Sequence, residues 1–84
     1  MAKNRHGVAP YHIWGIAQIG QLEVRIDEFQ CARRIEQATF LLAQKLSSDY
    51  RGQRVYLGNC QRSETNWQEY RAWREAQNKP ILAN

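Results

Sequence analysis

Apolar residues along this chain first alternate with polar ones and only later recur at helical spacing. In residues 11–18, Tyr11, Ile13 and Ala17 alternate with His12 and Gln18, which predicts a strand. Gly15 inside it marks a bulge or a close backbone approach. Leu22, Val24 and Ile26 then alternate with Glu23, Arg25 and Asp27, the period of a half-buried strand with its charges on one face. Gly20-Gln21 between the two segments offers turn chemistry, so they are expected to form a β-hairpin. A helix through 11–26 is the competing reading, because Leu22, Ile26 and Phe29 also fit helical spacing.

The pattern then changes. Asp27-x-x-Gln30 is a capping-box sequence, and no Gly or Pro follows until Gly52. Cys31, Ile35, Ala38, Leu42 and Leu46 recur at three- and four-residue steps, with Ala32 and Thr39 beside them. They make one stripe of an amphipathic helix of about 20 residues. Phe29 and Phe40 lie on a common flank of it and are expected to pack against another element. Gly52 is the stop signal.

Arg54-Val55-Tyr56-Leu57 predicts a short strand returning to the hairpin, ended by Gly58-Asn59. Thr65-x-x-Gln68 opens a second helix, on which Trp67, Tyr70 and Trp73 fall within an arc of roughly 120° bordered by Arg71 and Arg74. Pro80 ends it, and Ile81-Leu82 is expected to tuck back as a hydrophobic clasp. The plan is α+β, in the order β-β-α-β-α. A small antiparallel sheet of three strands packs on a long amphipathic helix, followed by a C-terminal aromatic helix.

Composition bounds this plan. At 84 residues, with 43% hydrophobic and 11% aromatic, there is material for one modest core and little for a large substrate cleft. The expected organisation is a flexible basic tail over residues 1–10 and a single small domain over 11–84. The net charge of +4 is uneven. Lys3 and Arg5 face no acid in the first 20 residues, and 51–84 set Arg51, Arg54, Arg62, Arg71, Arg74 and Lys79 against Glu64, Glu69 and Glu75. A basic bias of this kind favours polyanions.

Catalytic chemistry is not indicated. His6 and His12 have no neighbouring carboxylate and nucleophile in a triad-like pattern, Asp27-Glu28 reads as a helix N-terminus, and no glycine loop cradles phosphate. Cys31 and Cys60 are too few for a disulfide framework and lack partners at metal-ligand spacing. They read as reduced thiols of a cytoplasmic protein, with one bridge between them left open. MAKNRHGVAP has no apolar run of a signal peptide, and residues 11–19 fall short of the roughly 20 needed for a membrane span. No catalytic residue, metal or cofactor is therefore expected, and no membrane.

The aromatic-basic C-terminal segment is the candidate site. Trp67, Tyr70, Trp73, Arg74 and Arg71 are the residue types that anchor partner surfaces. The same spacing also fits a core-facing stripe with arginine stems along its edge. Alternatively Arg51, Arg54, Arg62, Arg71 and Arg74 would neutralise phosphates while exposed aromatics stack on bases. Arg33-Arg34 reads as a solvated helix face, with Glu36 partly neutralising Arg33.

Three resemblances accompany these readings. Through Gly52-Gln53, Val55-Tyr56 and Leu57, residues 42–57 (LAQKLSSDYRGQRVYL) are similar to the helix–glycine–strand step of Mor-type phage transcription activators. No helix-turn-helix follows residue 77, so that resemblance implies only a dimerisation part with a regulatory role. Trp73-Arg74-Glu75-Ala76 resembles the WREA ending of ribosome modulation factor. The β-β-α-β plan resembles small proteins of phages and mobile elements, anti-CRISPR proteins among them. That implies a compact inhibitor or accessory factor acting on a protein or ribonucleoprotein assembly. A nucleic-acid-binding module is the alternative, and a homodimer stays open.

Overall fold

The computed structural model describes residues 3–78, so Lys79, Pro80 and the expected Ile81-Leu82 clasp lie outside the described residues. Its elements are β1 (Ala9–Ile19), β2 (Leu22–Ala32), α1 (Ile35–Asp49), β3 (Val55–Tyr56), β4 (Gln61–Glu64) and α2 (Trp67–Asn78). The α+β class and the β-β-α-β-α order are those expected. The third strand of the plan is β3, and β4 is a fourth strand the plan did not contain; both pair antiparallel with β1 on the edge opposite β2.

The hairpin forms because a two-residue turn joins two alternating segments. Gly20 has φ 60° at the first turn position and Gln21 keeps a negative φ, which is the type II′ pattern that suits the twist of paired strands. The register that follows is unbroken from Ile19↔Leu22 to Ala9↔Ala32. Two boundaries therefore move. Ala9 and Pro10 are buried strand residues, not part of a tail. Before them Asn4 Oδ1 accepts from the backbone N–H of His6 and Val8, at 2.9 and 3.1 Å, closing a turn.

Helix α1 begins at Ile35, not Asp27. Residues 27–32 continue β2, so Asp27-x-x-Gln30 is no capping box and Cys31 and Phe29 belong to the sheet. The mimicry has a physical origin. Along β2 the apolar positions are Leu22, Val24 and Ile26, and then Phe29 and Cys31. Burial changes faces midway because α2 covers the other side of the strand's second half, and this phase shift imitates helical spacing.

The inner face carries the core. Ile13, Ala17, Ile19 and Ile26 pack against Ala38, Leu42 and Leu46 of α1. Helix α1 ends where Tyr50 N–H bonds Leu46 O at 2.8 Å, and the chain turns through Gly52 at φ 78°. Phe40, expected to pack, projects into solvent at 60% exposure. Arg33 and Arg34 are exposed as expected, in the turn before α1.

Gly15 is a close approach. Its φ is +135°, and a β-carbon there would lie 3.1 Å from Cys60 Cα. Residues 57–60 arch past it between β3 and β4. Arg62, directly across from Ile13, ties this arch down: its guanidinium donates to Leu57 O at 2.8 Å, Cys60 O at 3.1 Å and Thr39 Oγ1 of α1 at 3.1 Å.

Candidate functional site

The outer face of the sheet differs in chemistry from the inner one. Antiparallel register places His12 opposite Phe29 and Ser63, and Trp14 opposite Asp27 and Gln61, all on the side away from α1. Helix α2 lies over one end of this face. Thr65 N–H bonds Pro10 O at 2.9 Å, continuing the β4–β1 edge into the helix start. The cap is one residue later than the sequence suggested. Asn66 Oδ1 accepts from Glu69 N–H at 2.8 Å, while the Glu69 carboxylate accepts from Thr65 Oγ1 at 2.9 Å and Asn66 Nδ2 at 3.2 Å.

So placed, α2 lays its aromatic arc against the sheet. Trp73 meets Phe29 with ring centroids 5.4 Å apart, Tyr70 follows Trp73 at 6.2 Å, and Trp67 meets Tyr70 edge-on at 5.8 Å. On the sheet side His12 stacks between Phe29, at 4.4 Å, and Trp14, at 4.5 Å. The result is one row of rings from Trp14 to Trp67. Helix α2 has no fully buried residue, and Trp67, Tyr70, Trp73 and Trp14 are half-buried. The expected aromatic arc is thus neither a closed core nor a free platform: one side packs on the sheet and the other meets solvent.

Two polar devices set the edges of the row. His12 Nε2 and Asp27 Oδ1 are 2.6 Å apart, a contact made across the hairpin and without a nucleophile beside it. Both ring faces of His12 are stacked on aromatics, so the pair orients the imidazole within the row. At the other end Arg74 lies 5.8 Å over the Tyr70 ring and donates to its hydroxyl at 3.3 Å. Burial raises the Tyr70 pKa above 10.0, and the hydrogen-bonded Cys31 thiol adds to the rise while Arg74 opposes it. Beyond Trp14 the face opens into a pocket of about 250 Å³ bounded by His12, Trp14, Gly15, Arg25, Ile26 and Asp27.

The predicted arginines do not converge. Arg71 and Arg74 are exposed on α2, at the Pro10 end of β1. Arg54 lies at the hairpin end, where its carbonyl accepts from Gly20 N–H at 2.8 Å, and Arg51 is in the adjoining turn. At about 3.3 Å per strand residue these ends are roughly 30 Å apart. Arg62 is half-buried with its guanidinium on the three internal acceptors described above. Both cysteines are free thiols, Cys60 buried and Cys31 half-buried. No cluster of His, Cys, Asp or Glu able to hold a metal exists among the described residues, and no helix there is long and apolar enough to cross a membrane.

His12, Trp14, Asp27, Phe29 and Arg25 were not in the sequence-predicted site. A hairpin turning on Gly20-Gln21 already pairs 12 with 29 and 14 with 27, so the register was the signal that would have found them. Comparison of the chain with family models, with curated proteins and with solved structures gives no match.

Proposed function

We propose that this chain is a small non-enzymatic binding protein. It acts as an inhibitor or accessory factor by docking on a larger protein or ribonucleoprotein assembly in the cytoplasm, in the manner of small phage-encoded proteins such as anti-CRISPR proteins. The observation that carries this reading is the row of half-exposed rings from Trp14 to Trp67, edged by Arg25, Arg71 and Arg74. Tryptophan, tyrosine and arginine are the usual anchors of protein interfaces. Here they are pre-positioned by packing on a rigid sheet, which lowers the ordering cost of association. The placing of Arg51 and Arg54 by the hairpin turn and of Arg71 and Arg74 by the other end of β1 weighs against a continuous phosphate track.

The test is capture from a host lysate treated with nuclease, using the wild type and a Trp67→Ala/Arg71→Glu variant whose circular dichroism matches it. The expected result is capture that survives nuclease and is lost in the variant. Loss of every wild-type partner after nuclease, with oligonucleotide binding that falls steeply with salt, would replace this reading by nucleic-acid binding.

A further inference from the structure

A second open feature is an edge of the sheet. Strand β2 is a long strand, Leu22–Ala32, paired on one side only; among the described residues no strand meets its other side. Which of its backbone groups face outward follows from the turn. In a two-residue hairpin the residues flanking the loop, Ile19 and Leu22, exchange hydrogen bonds, and bonded pairs alternate from there. The even-numbered residues of β2 therefore bond β1. Glu23, Arg25, Asp27, Phe29 and Cys31 turn their N–H and C=O groups to the open edge.

Folded proteins protect such edges with a bulge, a proline, a covering element or charged side chains. Strand β2 has no proline or bulge, its register with β1 is unbroken, and its edge charges alternate: Glu23 negative, Arg25 positive, Asp27 negative. A single-sign edge repels a second copy in every register. An alternating edge discriminates between registers. Two copies of β2 paired antiparallel around Arg25 would set Arg25 against Arg25 and Glu23 against Asp27. Around Asp27 they would set the two Asp27 side chains together, and around Glu28 the two Glu28. Around Ile26, Arg25 of each copy faces Asp27 of the other, in two bonded pairs, and Ile26 meets Ile26. This register pairs residues 22–30 and keeps the inner and outer faces of both sheets in phase. Pairing around Val24 also opposes unlike charges, but engages only residues 22–26.

We propose that the chain forms a two-fold homodimer by antiparallel pairing of β2 with β2 of a second copy, centred on Ile26. The two sheets become one, and the outer faces with their rows of rings lie side by side. The Arg25 and Asp27 walls of the 250 Å³ pockets then meet at the junction. The self-complementary placing of Arg25 and Asp27 on either side of Ile26, on an edge with no proline, bulge or pairing strand among the described residues, carries this proposal. It is independent of the protein-docking surface on α2.

Sedimentation equilibrium of the full chain tests it. The wild type is expected to dimerise reversibly. Arg25→Asp makes both cross-strand pairs repulsive and is expected to weaken dimerisation by about tenfold or more. Asp27→Arg weakens it likewise, and the double swap Arg25→Asp/Asp27→Arg restores it, because each exchanged residue then faces its complement. Circular dichroism of each variant checks the monomer fold. A wild type that stays monomeric to roughly 1 mM overturns the proposal. A dimer indifferent to Arg25→Asp, or one the double swap fails to restore, overturns the pairing. Trp67→Ala/Arg71→Glu should leave the dimer unchanged, so failure here and failure of the docking reading are told apart.

Discussion

The two faces of one sheet divide the work of this small protein. On the inner face Ile13, Ala17 and Ile19 are fully buried against Ala38 and Leu42, and no charged residue is buried among the described residues. On the outer face the rings of Trp14, Trp73, Tyr70 and Trp67 stay half-exposed, and histidine, aspartate and arginine stand among them. Aliphatic packing contributes stability through volume and apolar area alone. Aromatic packing that remains half-open keeps contact energy available to a partner. Substitutions on the inner face should therefore affect folding, and those on the outer face mainly the position of α2 and what it binds.

The largest effect is expected at the inner face. Leu42→Ala leaves a void between α1 and the sheet and should cost about 2–5 kcal/mol, a large share of the stability of a domain this size. Urea denaturation followed by circular dichroism measures it. An effect below about 1 kcal/mol would mean the inner face is not the core. Next is Gly15→Ala, where the two sides of the sheet edge meet. At φ +135° a side chain is strained, and its β-carbon would press on the Cys60 backbone, so a loss of about 1–3 kcal/mol is expected from the same measurement.

These two positions also show where the sequence was readable. Leu42 announced itself by its spacing from Ala38 and Leu46, and Gly15 was read as a bulge or a close approach, of which the structure has the second. The hairpin was legible because Gly20-Gln21 sits between two alternating segments. The start of α1 was not, because cover by α2 moves the buried positions of β2 from Ile26 to Phe29 and imitates a helix. Strand β4 carries Gln61-Arg62-Ser63-Glu64, which has no apolar signal; it is a strand because β1 pairs with it. Half of the outer row was missed for the same reason. Trp67, Tyr70 and Trp73 follow from local spacing, whereas Trp14, His12 and Phe29 join only through the hairpin register.

A smaller effect is expected where α2 meets the sheet. Trp73→Ala removes the contact with Phe29 while leaving the inner face intact, and about 1–2 kcal/mol is the expected loss. Hydrogen exchange sharpens the comparison beyond that number. Amides of α2 should lose protection in the variant while those of α1 and the centre of β1 keep theirs. Equal loss in both helices would show that the faces are energetically one unit.

The smallest effect separates the faces by pH. Burial raises the Tyr11 pKa above 10.0 on the inner face, with Glu64 across the strand and Glu36 on α1 adding to it. Tyr70 on the outer face and the Cys60 thiol are raised as well, also chiefly by burial, and Arg62 opposes the rise at Cys60. In each case the folded state holds its proton more tightly than the unfolded chain. The stabilisation is complete below the unfolded-state values, 9.0 for cysteine and 10.0 for tyrosine, and falls as pH climbs through the folded ones. Stability should therefore be flat with respect to these groups at neutral pH and decline above about pH 9. Tyr11→Phe removes one titrating group, so its urea midpoint should fall less steeply from pH 9 to 11 than that of the wild type. Tyr70→Phe should reduce the slope less, because Tyr70 is half-buried whereas Tyr11 is buried. A steeper change at Tyr70 than at Tyr11 would reverse the ranking of the two faces.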